Sequence, residues 1–332
     1  MTLRPTTLAL NGFGRIGRTI LRILAKAANG DLRLVLINDI ELLESCAYLF
    51  EYDSVFGPFS GRVETRPGML IVDDQKIPFH SVRDISALDL SGVDVVLECT
   101  GHNDAREAIE RGLRAGAGAV LISGPSKAAD VTLVIGANDE RLGSERVVSN
   151  ASCTTNALAP LLKVLDEAFG VVSGQMTTVH CYTGSQPTVD KPRGDAARSR
   201  AAALSMVPTT TSAGRLIGEV LPELAGRIEA RAIRVPTASV SAIDLTVATE
   251  RRVSVAAVNA ILREKAETSP VFGWTEKPLV SSDLRARPES IIIAGPETSL
   301  AGGLLRVFGW YDNEWGFSCR MLEMARMIGQ RN

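Results

Sequence analysis

The sequence has no apolar run approaching the length of a membrane span, and its opening MTLRPTTLALNG lacks the charged, hydrophobic and cleavage regions of a secretory leader. Cysteine is scarce. The five thiols, at 46, 99, 153, 181 and 319, are odd in number, widely spaced and form no CxxC. That argues against a disulfide framework and makes a reducing cytoplasm the expected setting. The three histidines, at 80, 102 and 180, show no metal-ligand spacing, so no metal is expected. Charge nearly cancels: a formal net charge of -2 gives no reason to expect nucleic acid or an anionic membrane as partner. Low-complexity tracts, Pro-rich linkers and internal repeats are also missing. The tripeptide NAS at 150–152 fits a glycosylation acceptor, but in a cytoplasmic chain it is taken as chance.

What is present is a globular composition, 45% hydrophobic and 22% charged, over 332 residues, enough for two domains of ordinary size. Up to about residue 150, the runs TLALN, LRLVLIND, VDVVLECTG, AVLISG and VTLVIGAN alternate with helical patterns. That alternation predicts a Rossmann-type, doubly wound α/β domain built on a parallel sheet. Beyond Cys153 the strands QMTTVHCYT, EARAIRVPT, SAIDLTVAT, SIIIA and LLRVFGWYD follow one another with few helices between. They predict an α+β second domain with a mostly antiparallel sheet. The final segment, SCRMLEMARMIGQ, returns to helical spacing.

The first chemical signal is NGFGRIGR, a G-x-G-x-x-G formed by Gly12, Gly14 and Gly17. An apolar strand precedes it, and Ile16, Ile20, Ile23 and Leu24 then share one face of a helix. In a dinucleotide site Gly12 permits the tight turn, Gly14 lets backbone approach a pyrophosphate, and Gly17 lets helix and strand pack closely. The helix amino terminus favours the phosphates. Asp39 lies 22 residues beyond Gly17, where a carboxylate binds the ribose hydroxyls of NAD and repels the extra phosphate of NADP. NAD is therefore the expected cofactor.

The second signal is SNASCTTNALAP, residues 149–160. Cys153 sits among small and hydroxyl-bearing residues, ahead of a helical run that places it at or near a helix amino terminus. Partial positive charge there favours thiolate, and a nearby imidazolium from His180 would favour it further. Pro160 removes one helical hydrogen bond and is expected to kink the helix. Taken singly, Cys153 also reads as a small buried residue and His180 as a hydrogen-bonded strand residue; spacing does not establish that they meet.

Together NGFGRIGR, IND, YDSV, ECTG, SNASCTTN, RVPT and WYDNEWGFS, in this order over nearly the whole chain, resemble the phosphorylating glyceraldehyde-3-phosphate dehydrogenases. The resemblance implies that Cys153 is a nucleophile forming a thiohemiacetal and then a thioester, with His180 as base and oxyanion donor. It implies that Thr183, Arg198 and Arg234 bind the substrate phosphate of a small phosphorylated aldehyde. Ser152, Thr154, Thr211 and Ser212 would lie around the attacking inorganic phosphate. Arg15 and Ile16 would offer backbone N–H groups to the pyrophosphate, and Asn313 would hold the nicotinamide carboxamide. Thr100 and Ser123 stand at strand ends of the cofactor domain. The implied domains are 1–151 for NAD, completed by a terminal helix at 317–332, and 152–316 for catalysis. A homotetramer is implied too, with residues 182 to about 204 forming an intersubunit loop.

The sequence departs from that family at several places. Phe56 and Pro58 stand where polar residues are common, Ala157 replaces a frequent second cysteine, and Ser185 replaces an Asp or Thr. Ser212 replaces a usual glycine; with φ > 0 there, a serine would cost roughly 1 kcal/mol or more. The expected reaction is NAD-dependent oxidation of glyceraldehyde 3-phosphate to 1,3-bisphosphoglycerate. The alternatives are erythrose-4-phosphate oxidation and a catalytically weak NAD-binding regulator.

Overall fold

The computed structural model describes residues 4–26, 30–102 and 105–331. The chain divides into two compact units, residues 1–133, 140–151 and 318–332 in the first, and residues 134–139 and 152–317 in the second.

The first unit contains β1 (Thr6–Asn11), α1 (Arg15–Lys26), β2 (Leu32–Asn38) and α2 (Leu43–Glu51), followed by the small ladder β3 (Tyr52–Asp53) and β4 (Gly57–Pro58). Next come β5 (Val63–Arg66), β6 (Met69–Val72), β7 (Gln75–His80), β8 (Val95–Glu98), α3 (Arg106–Ile109) and α4 (Arg111–Arg114). The strands β9 (Ala119–Ile122), β10 (Val131–Thr132) and β11 (Val147–Ser149) complete it. The main sheet runs β10-β11-β9-β8-β1-β2-β7-β6-β5. It is parallel from β10 to β7 and antiparallel at β6 and β5. β1 lies between β2 and β8 with all its residues buried, which is why TLALN is an apolar run rather than an alternating one. Ala9, Val96, Val120 and Ile109 share one core cluster with Leu36.

Two features of this unit differ from the sequence reading. VTLVIGAN was expected to be a full strand, but only Val131 and Thr132 pair. The chain turns immediately after, where Asn138 Oδ1 accepts from the Val134 N–H (2.8 Å). The β5–β7 meander was not anticipated. Its turns use Gly68 (φ 68°) and Asp73 (φ 52°), the left-handed conformations that Gly and Asp tolerate best.

The second unit holds α5 (Cys153–Phe169), β12 (Val171–Cys181), β13 (Val207–Thr210), α6 (Ala213–Val220), β14 (Ile228–Val235) and β15 (Ser241–Thr249). It continues through α7 (Val255–Thr268), β16 (Phe272–Thr275), β17 (Ile291–Ala294), β18 (Ser299–Ala301) and β19 (Leu304–Tyr311). The last helix, α8 (Trp315–Gly329), belongs to the first unit from Ser318 onward. The sheet order is β13-β14-β12-β15-β19-β17-β16, with β18 beside β19. Most neighbours are antiparallel, but β12 and β14 are parallel, as are β16 and β17. α5 packs against β12, β15 and β17 through the fully buried Leu158, Leu161, Leu162 and Leu165. Pro160 is accommodated inside α5, which remains one continuous helix over its 17 residues.

Candidate functional site

In the first unit, the β1–α1 turn explains each glycine separately. Gly12 has φ 96°, and a Cβ there would lie 2.7 Å from the Cys99 carbonyl carbon and the Thr100 nitrogen. At Gly17 a Cβ would fall 2.3 Å from the Gly12 oxygen, so α1 can cross β1 only without a side chain. Gly14 is different: nothing lies within 4 Å of its would-be Cβ, leaving open space over the backbone. Beside this turn is a cavity of about 350 Å³ lined by Gly12, Gly14, Asp39, Thr100, Arg83 and Arg111 among others.

Asp39 is fixed at the end of β2. One carboxylate oxygen accepts from the Phe13 N–H (2.5 Å) and the other from the Glu41 N–H (3.0 Å). The same cavity is lined by a polar network. The buried Glu98 carboxylate accepts from Asn11 Nδ2 (2.6 Å), from the Thr100 N–H (2.9 Å) and from the Thr100 hydroxyl. Asn38 Nδ2 in turn donates to Asn11 Oδ1 (2.8 Å). Asn11, Asn38 and Glu98 fall inside NGFGRIGR, IND and ECTG, but the sequence gives them no role of their own because they look like ordinary strand-end residues. Arg15 and Ile16 open α1, but the Arg15 guanidinium turns to Asp53 (2.5 Å) and lies 5.4 Å over the Phe56 ring. Phe56 thus supplies a ring face for a cation. Ser123 follows β9, where its N–H donates to the Glu98 carbonyl (2.9 Å), and it is not in the cavity lining. An open glycine backbone, a helix amino terminus and a strand-end carboxylate fit the pyrophosphate and ribose of NAD.

In the second unit, Ser152 caps α5, its hydroxyl accepting from the Thr155 N–H (3.1 Å). This cap makes Cys153 the first helical residue. Its Sγ lies 3.6 Å from His180 Nε2. His180 is the penultimate residue of β12, and the parallel register places it beside Arg234 of β14. Arg234 Nη1 lies 2.8 Å from His180 Nδ1 and donates to the Cys181 carbonyl (3.0 Å). That carbonyl is also 2.7 Å from His180 Nδ1. The two Nδ1 contacts call for opposite tautomers. With a proton on Nδ1, His180 donates to the Cys181 carbonyl and presents a bare Nε2 to the thiol. With Nδ1 bare, it accepts from Arg234 and Nε2–H faces sulfur.

The electrostatics correct one sequence expectation. Burial pushes the Cys153 thiol above its ordinary pKa, and the nearby Arg234 charge only partly offsets this. Burial, reinforced by Arg234, lowers His180 to about 4. The resting imidazole is therefore neutral at neutral pH and is not the expected imidazolium. Desolvation outweighs the helix amino terminus here, a balance that sequence position alone does not give.

Around this pair lie Tyr311, Thr178 and Cys181, to which the sequence gives no role, in contact with Thr154 and Asn313, to which it does. The buried Tyr311 hydroxyl shares hydrogen bonds with Thr154 Oγ1 (2.9 Å) and Thr178 Oγ1 (2.8 Å). The Cys181 thiol donates to Asn313 Oδ1 (3.1 Å). The remaining anion-site candidates have partners of their own. Arg198 donates through Nε to Thr209 Oγ1 (2.7 Å) and through Nη2 to the Thr210 carbonyl (3.1 Å). Thr211 Oγ1 accepts from the Ala213 N–H (3.2 Å) at the start of α6. Thr183 shares a hydroxyl hydrogen bond with Ser185 (2.9 Å). Ser212 has φ -74° and ψ -7°, so the serine sits in ordinary helical backbone without strain. Ala157 is fully buried in α5.

Among the described residues there is no group of three or more His, Cys, Asp or Glu placed to hold a metal. No described helix is long and apolar enough to cross a membrane. Residues 6–106 match the family description "Glyceraldehyde 3-phosphate dehydrogenase, NAD binding domain", and residues 152–313 match its "C-terminal domain". The chain is 47% identical to a glyceraldehyde-3-phosphate dehydrogenase of Pseudomonas aeruginosa, covering 98% of each sequence. It is 45% identical to one from Xanthobacter flavus, over 97% of this chain and 98% of that protein. For one from Geobacillus stearothermophilus the identity is 42%, with the same two coverages. Agreement across both domains and nearly the full length means that the chain belongs to the glyceraldehyde-3-phosphate dehydrogenase family.

Proposed function

We propose that the protein oxidises glyceraldehyde 3-phosphate to 1,3-bisphosphoglycerate, using NAD and inorganic phosphate, with Cys153 as nucleophile. The observation that carries this reading is the Cys153 Sγ to His180 Nε2 approach of 3.6 Å at the capped start of α5. His180 Nε2 takes the thiol proton as sulfur bonds to the aldehyde carbon, and the resulting N–H then donates to the developing oxyanion. A proton returns through His180 as the thiohemiacetal oxygen becomes a carbonyl. NAD, when bound, accepts the hydride that leaves that carbon. The product on Cys153 is a thioester. Phosphate oxygen then bonds to the acyl carbon, the C–S bond breaks, and the thiol recovers a proton.

Arg234 and Arg198 carry the donors and charge suited to phosphate, with Thr183 beside the substrate group. Ser152, Thr154, Thr211 and Ser212 supply hydroxyls for the attacking phosphate. Gly12, Gly14, Arg15, Ile16, Gly17, Asp39, Thr100 and Ser123 serve the dinucleotide, and Asn313 serves its nicotinamide carboxamide. The exposed Val189, Leu204 and Met206 support assembly with further copies of the chain, read here as a homotetramer in the cytoplasm.

The test is NADH formation by absorbance from glyceraldehyde 3-phosphate, with and without inorganic phosphate, alongside erythrose 4-phosphate. Phosphate-dependent turnover that favours the first substrate, and is lost in Cys153→Ser, supports the reading. Preference for the second substrate, or indifference to phosphate, overturns it.

A further inference from the structure

Cys181 is fully buried, and every polar group it carries is engaged inside the catalytic unit. Its N–H donates to Ser241 Oγ (3.1 Å), and its carbonyl receives Arg234 Nη1 (3.0 Å). Its thiol reaches Asn313 Oδ1 at 3.1 Å. The backbone is therefore held at both ends of the residue, and of the thiol's contacts the 3.1 Å approach to Asn313 Oδ1 is shorter than the one to His180 Nδ1, at 3.9 Å. Asn313 is only 8% exposed, and its Oδ1 is the end of the amide that meets the thiol.

We infer that Cys181 is a positioning residue: its S–H holds Asn313 Oδ1, so that the amide can present only Nδ2 to the nicotinamide carboxamide. The inference rests on the reading of Asn313 as the carboxamide ligand. An asparagine amide is nearly symmetric in shape but opposite in hydrogen-bonding sense at its two ends. Sulfur is a weak acceptor, and within an amide only the oxygen can accept from S–H, so the thiol favours the carbonyl end. Burial pushes the Cys181 pKa to about 12, which keeps the group a donor throughout the working pH range. The amide then reads the carbonyl oxygen of the cofactor's carboxamide, not its NH₂. A side chain invisible to the reacting atoms thereby sets the polarity of the cofactor contact.

The experiment is calorimetric binding of NAD, ADP-ribose and 3-acetylpyridine adenine dinucleotide to the full-length wild type, Cys181→Ala and Cys181→Ser. ADP-ribose lacks the nicotinamide, and the acetylpyridine analogue keeps the ring-substituent carbonyl but has no NH₂. Cys181→Ala should weaken NAD about three- to tenfold, the scale of one modest hydrogen bond, and leave ADP-ribose unchanged. Cys181→Ser, whose hydroxyl can donate to the same oxygen, should stay within about twofold of wild type. The wild type should bind the analogue about as well as NAD, and Cys181→Ala should weaken both together. Equal NAD affinity in wild type and Cys181→Ala overturns the proposal. So does failure of serine to rescue, an equal loss for ADP-ribose, or wild-type rejection of the analogue. None of these readings needs turnover. A wild type that binds as described but does not oxidise glyceraldehyde 3-phosphate would fail the proposed function and leave the role of Cys181 standing.

Discussion

His180 and Arg234 are direct partners in the parallel register of β12 and β14, and the guanidinium Nη1 lies 2.8 Å from the imidazole Nδ1. One positive charge therefore acts on both members of the Cys153–His180 pair. It disfavours a proton on His180 and favours loss of one from Cys153. Strand pairing makes this coupling stiff, because neither residue can leave the other without breaking a ladder.

Replacing Arg234 by Gln should move both groups in the same direction. The Cys153 thiol rises further, so its alkylation by iodoacetamide should require higher pH than in the wild type. The His180 titration should climb from about 4 toward its ordinary value near 6.5, as followed by NMR of a chain with only three histidines. An alkylation profile that does not move would disprove the coupling. With Arg234 binding phosphate as proposed, its loss should also lower kcat/KM by roughly 10- to 100-fold.

A depressed histidine also shapes acid stability. Below about pH 6.5 the unfolded chain binds a proton at His180 that the folded chain refuses until about pH 4. Its contribution is thus flat above pH 6.5 and turns against folding as the pH falls toward 4. The expected loss is on the order of 3 kcal/mol, from the size of that displacement. Urea unfolding of wild type and His180→Asn at pH 7.5 and 4.5 isolates it. The wild type should lose stability relative to the variant between the two pH values. A constant difference would mean that His180 titrates alike in both states.

How much of this was legible in the sequence depended on how local the signal was. TLALN followed by GFGRIG and a 3.6-residue apolar period describes a strand, a turn and a helix in one continuous stretch, and the structure has all three. The apolar helical run after Cys153 placed the start of α5 at or near that residue in the same way. Tyr311, Thr178 and Cys181 carried no such signal. Their partners are distant in the chain, and they meet because β12 and β19 both flank β15 in one sheet. The sign of the Cys153 shift was illegible for a related reason. A helix amino terminus can be read from a few residues, but desolvation sums over everything packed around the sulfur.

The three motif glycines should fail in three different ways when each is changed to Ala. Gly17→Ala sets a Cβ 2.3 Å from a backbone oxygen and should destabilise by roughly 1–3 kcal/mol, the range for overpacking. Gly12→Ala adds the strain of φ 96° to a 2.7 Å backbone clash and should be at least as damaging. Gly14→Ala meets nothing within 4 Å and should fold with near wild-type stability. If backbone approach to pyrophosphate is the purpose of Gly14, its NAD affinity should still fall. Thermal melts with and without NAD separate the cases, and a Gly14→Ala protein with undiminished affinity would remove that purpose.

Tyr311→Phe removes one oxygen and leaves the ring, so its effects can be assigned to the hydroxyl. Thr154 and Thr178, both buried, lose the partner they share. The expected cost is about 1–3 kcal/mol, the penalty for leaving buried polar groups unsatisfied. Thr154 follows Cys153 and, in the proposed function, serves the attacking phosphate, so its freed hydroxyl should raise KM for phosphate while NAD affinity holds. Adding Thr178→Val separates the two consequences. The double variant has one fewer unpaired hydroxyl and should regain part of the lost stability. Thr154 remains without its partner, so the KM for phosphate should stay high. Recovery of both quantities together would mean that Tyr311 acts through packing of β12 against β19's neighbours, not through the orientation of Thr154.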